Sequence, residues 1–88
     1  MDYNSESHIT TIAEVKAFFI EMVKIAGDEW HPDDSYSSYK DRKTKECLFT
    51  PEEIVECERL QSECFAVCDA KGVDIYDLGW EAIEASIE

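Results

Sequence analysis

The chain has 88 residues, 44% of them hydrophobic, with four Phe, four Tyr and two Trp, and a formal net charge of −13. This describes one small globular domain whose limited core leaves little room for an enclosed pocket, which argues against a self-contained metabolic enzyme. Twenty-one carboxylates against eight Lys and Arg oppose direct binding to nucleic acid or to an anionic membrane, because both need a cationic surface.

The opening "MDYNSESHIT" has neither the basic nor the apolar region of a secretory signal. Residues 1–8 are polar, and residues 1–9 are expected to be flexible. No apolar run is long enough to span a bilayer. The four cysteines are therefore expected to be reduced thiols in a cytoplasm.

Thr11 followed by Glu14 is a capping-box pattern. Ile12, Val15, Phe18, Phe19, Met22, Val23, Ile25 and Ala26 then fall in one broad arc at helical spacing. A helix is predicted over 11–26, ended by Gly27 in a left-handed conformation.

Residues 28–49 are irregular. "WHPDDSYSSY" places His31 and two carboxylates around Pro32, between aromatics. His31 precedes a proline and is pushed to extended backbone. Pro32-Asp33-Asp34-Ser35 has turn chemistry, since proline presets φ and Asp and Ser bond following amides. Trp30, Tyr36 and Tyr39 can roof the gap between the first two helices. Lys40, Arg42, Lys43 and Lys45, with Asp41 among them, form a +3 knuckle and leave −16 for the rest of the chain. "SYSSY" and "KECLF" can pair as a loose hairpin. The alternative is a long ordered loop, which in so small a domain is often functional.

"TPEE" at 50–53 is the most specific local signal. Threonine caps, Pro51 takes the first helical position, and Glu53 closes the capping box. A second helix is predicted over 51–71, ending at Gly72 with Val73 completing a Schellman-type turn. Cys57, Cys64 and Cys68 share its apolar face with Ile54, Leu60, Phe65 and Val67. A zinc site normally draws on C-x2-C turns, absent here. Core packing of the thiols is the better reading. Glu52, Glu56, Glu63 and Arg59 form a polar stripe expected to be solvated.

A third helix is predicted over 74–86, weakened by Gly79. Ile75, Leu78, Ala82 and Ala85 make one apolar face. Tyr76, Trp80, Ile83 and Ile87 make a second, which can cover the 28–49 loop, form a dimer seam or dock a partner.

Catalytic patterns are weak: there is no phosphate loop and no nucleophile elbow. "HPDD" is similar to the motif of zinc-dependent deacetylases of N-acetylglucosaminyl compounds. That match covers four residues, follows a helix instead of a hydrophobic strand, and sits in a chain too short for that fold. It is rejected. "WHPDDSYSSY" and "FTPEEIVECERLQSECFAVCDAKGVDIYDLG" together resemble a family of small acidic proteins of gut anaerobic bacteria. That family shows an aromatic-His-Pro-Asp run, then Phe-Thr-x-Glu-Glu, then Gly-Val-Asp-Ile-Tyr. The resemblance spans roughly residues 28–79 and leaves the first helix outside. It implies a bacterial, cytoplasmic origin and brings no catalytic residue with it.

The expected fold is mainly α: a small three-helix bundle with a long ordered loop or short β-hairpin between helices 1 and 2. The expected function is a non-enzymatic protein-interaction module with a protein partner or a homodimer. One alternative is an acidic nucleic-acid mimic or antitoxin-like inhibitor of a basic DNA-binding or nuclease protein. Another is a metal- or ligand-binding protein using His31, Asp33, Asp34 and the thiols. The candidate partner-binding residues are Trp30, His31, Tyr36, Tyr39, Tyr76, Trp80, Ile83 and Ile87. No catalytic residue, metal ligand or cofactor is assigned.

Overall fold

The computed structural model describes residues 3–27, 30–32, 35–41 and 43–87, with Ser86 and Ile87 described by backbone alone. Three helices form a small bundle: α1 (Ile12–Ala26), α2 (Pro51–Lys71) and α3 (Ile75–Ile87). No described helix is long and apolar enough to cross a membrane.

Each helix starts where its capping chemistry says it should. The Thr11 side chain accepts from the Glu14 amide, and Glu14 reaches back to the Thr11 amide. Thr50 and Glu53 repeat the arrangement at α2, with Pro51 inside the first turn. Asp74 precedes α3, and its Oδ1 accepts from the Tyr76 amide at 2.9 Å. Such side chains satisfy amides that have no partner within the helix.

The helix ends differ. Gly72 is left-handed (φ 67°, ψ 31°); its amide bonds Asp69 O, and the Val73 amide bonds Cys68 O at 2.9 Å. This is a complete Schellman turn. Gly27 also has positive φ (90°), but its ψ of −177° extends the chain away from α1 instead of closing a left-handed turn. The expected left-handed ending at Gly27 is thus replaced by an extended one, open to glycine alone. It sends the chain toward Trp30, whose amide bonds Gly27 O.

The core draws on every element. Val15, Phe18, Phe19, Met22 and Val23 come from α1, Cys57, Leu60, Cys64 and Cys68 from α2, and Ile75, Leu78, Ala82 and Ile83 from α3. The interhelical segment adds Trp30, Tyr36 and Phe49. The Phe19 and Trp30 rings meet at 4.8 Å, and Tyr36 meets Phe49 edge-on at 5.3 Å.

That segment is a loop, with no named strand among the described residues. Tyr36–Ser38 form a 3-10 turn, and a single antiparallel bridge joins Lys40 to Cys47. Among the described residues, ladder bonding stops after Asp41 N to Glu46 O and Leu48 N to Tyr39 O. "SYSSY" lacks the alternation that would give a strand a buried face. Asp41 organises the basic knuckle instead: its Oδ1 accepts from the Lys43 and Thr44 amides, and these bonds hold its carboxyl below the ordinary value.

The N-terminal segment departs from expectation. From Tyr3 to Ile9 it lies on the helices. Tyr3 packs edge-on against Phe18 at 5.1 Å. Ile9 is buried, and its amide donates to Glu63 Oε1 at 2.8 Å. Arg59 holds Glu56 and Glu63 and donates to Asn4 O. The α2 stripe read as a solvated face is therefore half-covered. Burying Ile9 gives one reason, since its amide then needs an acceptor.

This contact carries a pH dependence. Burial opposes ionisation of Glu63, but the Ile9 amide, the Arg59 guanidinium and His8 outweigh it and lower its pKa from the ordinary 4.5. A carboxyl with a depressed folded pKa contributes stability above its unfolded pKa and loses it as pH falls through the folded one. Below pH 4.5, stability is expected to decline, and Glu63→Gln should flatten that part of the profile. Urea unfolding of both proteins across acid pH measures it, and parallel profiles would refute the assignment.

Candidate functional site

The clearest concave feature with aromatic walls lies where the interhelical loop crosses α3. Trp30, His31, Pro32, Tyr76, Gly79, Trp80 and Ile83 line a shallow groove. Gly79 explains how the two elements come so close. A Cβ built there would stand 3.3 Å from Pro32 Cδ and 3.4 Å from Pro32 Cγ. Glycine in mid-helix costs about 1 kcal/mol relative to alanine; here its missing side chain lets the buried proline ring rest on the helix backbone. The turn is also held from the other side, where the His31 amide donates to the Tyr39 hydroxyl at 3.2 Å.

The eight candidate residues separate into groups. Trp30 and Tyr36 are fully buried and belong to the core. Tyr39 is half-buried against Tyr36 and Phe49. Ile83 is buried at the groove floor, at 8% exposure. His31, Tyr76 and Trp80 are exposed, Tyr76 by 49% and Trp80 by 60%. The side chain of Ile87 lies outside the described residues. The groove thus unites His31, Tyr76 and Trp80 over a floor of Trp30, Pro32, Gly79 and Ile83.

Tyr36 is unsuited to acid–base work near neutral pH. Burial, with smaller contributions from Cys57 and Cys64, pushes its phenol far above the ordinary 10.0, and the Trp30 indole offsets this only in part. Neither Trp30 Nε1 nor Tyr36 Oη reaches a partner at full hydrogen-bond geometry. Two such buried groups are a cost to the fold.

The thiols divide three to one. Cys57, Cys64 and Cys68 are buried, and Cys57 Sγ lies 3.8 Å from Met22 Sδ. Burial raises the Cys57 and Cys64 pKa values to about 12, and raises that of Cys68. A thiol held neutral is a poor nucleophile and a poor metal ligand. Cys47 is exposed. In native protein, a thiol-reactive chromophore is therefore expected to label one cysteine promptly and the other three only on unfolding. Prompt labelling of two or more would contradict the packing of α2.

Among the described residues, no group of three or more His, Cys, Asp and Glu is placed to hold a metal ion. Asp33 and Asp34, the carboxylates of the alternative metal reading, lie outside the described residues.

From sequence, Gly79 reads only as a weak helix residue, and the proline seat it provides is not visible. The available signal was a glycine inside an otherwise periodic helix, directly before an aromatic. No protein-family model, no curated protein and no solved structure matches this chain.

Proposed function

We propose that this protein is a non-enzymatic interaction module, and that it binds a protein partner through the outer face of α3 and the adjoining His31–Pro32 turn. One observation carries the reading. Eight of the ten aromatic side chains are buried or half-buried, while Tyr76 and Trp80, one helical turn apart, are left in solvent beside a groove. Exposed aromatics that flank a groove supply the anchors from which interfaces draw most of their energy. The acidic surface adds steering and selectivity between partners.

Charge favours a second reading, an acidic mimic of nucleic acid that occupies a basic DNA-binding or nuclease protein. Outside the 40–45 knuckle the chain carries −16, the difference between −13 overall and +3 in the knuckle. Salt separates the two, because contacts between exposed charges are screened and aromatic anchoring is not. Affinity capture from nuclease-treated host lysate, at low and high salt, tests both. A stoichiometric partner that survives high salt and is released by Trp80→Ala supports the module. A basic nuclease or DNA-binding protein lost at high salt and indifferent to Trp80→Ala supports mimicry. No partner at either salt overturns both.

A further inference from the structure

The surroundings of Trp80 say what kind of partner its face would accept. On α3 its neighbours three and four residues away are Tyr76, Asp77, Ile83 and Glu84. Tyr76 and Ile83 belong to the groove side. Asp77 and Glu84 are both exposed. The indole therefore has one carboxylate a turn before it and another a turn after. No Lys or Arg follows Lys71 in the sequence, so α3 offers these acids no cation of its own. Lys16 of α1 pairs with Glu81 of α3, at 3.6 Å.

We infer that this face receives an arginine-bearing basic segment of a partner protein, with a guanidinium stacked on the Trp80 indole between Asp77 and Glu84. The inference deepens the interaction-module reading and rests on it. A cation over an indole face is attracted by the ring quadrupole, most strongly for Trp. Arginine suits the place better than lysine, because its planar group can stack on the ring while its edge donors reach carboxylates on both sides. A second copy of this chain fits poorly. Pairing α3 with itself around Trp80 would oppose the same carboxylates without a cation between them, in two chains of −13 each.

The full-length chain, labelled with nitrogen-15, allows a direct test. It contains two tryptophans, so two indole N–H signals are expected, assigned with Trp80→Phe. The probes are a short peptide alternating glycine with arginine and its lysine counterpart. The Trp80 signal is expected to move and saturate with the arginine peptide while the buried Trp30 signal stays still. Trp80→Ala should weaken binding roughly tenfold, Asp77→Asn with Glu84→Gln by roughly threefold or more, and the lysine peptide should bind less tightly. Circular dichroism checks that each variant is folded.

Peptide binding that leaves the Trp80 signal unmoved, or that Trp80→Ala does not weaken, overturns the site. So does a homodimer in sedimentation that Trp80→Ala dissolves. A lysate partner that survives high salt and is still held by Trp80→Ala also overturns the site, and leaves standing only an interaction module that binds away from Trp80. Absence of both peptide binding and any captured partner overturns the two together.

Discussion

Trp30→Ala is expected to cost about 3–5 kcal/mol, in the range for removing a large buried aromatic, while Trp80→Ala should change stability by less than about 0.5 kcal/mol. The two tryptophans lie near opposite ends of the burial range: Trp30 is at 0% exposure and Trp80 at 60%. Trp30 packs on Phe19 at 4.8 Å and closes the core where the loop leaves α1. A domain of this size has a total stability on the order of 5–10 kcal/mol, so the loss would consume about half of it. The midpoint of thermal unfolding should fall by roughly 15 °C or more. Trp30→Phe should cost less than Trp30→Ala, because it keeps most of the apolar bulk. Thermal and urea unfolding followed by circular dichroism measure all three. Equal losses at the two tryptophans would mean that the loop does not pack as described.

The second large effect is expected at Gly79. Gly79→Val should destabilise by about 1–3 kcal/mol through overpacking against Pro32, even though valine is the better helix former. Alanine is the informative intermediate. It gains up to about 1 kcal/mol in helix propensity but sets its Cβ 3.3 Å from Pro32 Cδ, so the ring must yield by a few tenths of an ångström. Its net effect should be small. A double-mutant cycle identifies the cause: if the Gly79→Val penalty comes from the proline, Pro32→Ala should relieve it by about 1 kcal/mol. An unchanged penalty would place the strain elsewhere on the helix.

The helical framework was readable because its signals are local. Thr11–Glu14, Thr50-Pro51 with Glu53, and Gly72-Val73 each fix a helix end through side chains a few residues apart, and α2 has the predicted bounds. The loop was less readable, since burial of Trp30 and Tyr36 depends on α1 and α2, distant in sequence. No periodicity within "WHPDDSYSSY" separates those two aromatics from Tyr39. Docking of residues 3–9 was missed for a related reason. A polar segment gives no apolar pattern, and its anchors are single contacts such as Ile9 with Glu63. Of the candidate face, Tyr76 and Trp80 were legible from their spacing. The burial of Ile83 beside them goes with the loop that crosses α3 where Pro32 approaches Gly79, a long-range contact that a helical wheel does not contain.

The sulfur-lined face of α2 has a consequence for reversibility. While folded, the chain shields three of its four thiols, with Cys57 beside the Met22 sulfur. Global unfolding releases them together, into water where their pKa values return to the ordinary range and disulfide exchange becomes fast. Cys64 and Cys68, four residues apart, would then meet at high effective concentration, and any bridge formed is incompatible with the helix that must re-form. Heating in air should therefore trap the chain after a few cycles, while heating with a reductant should return it. The lifetime of this protein under oxidising conditions would be set by how often it opens, and not by how stable it is when closed.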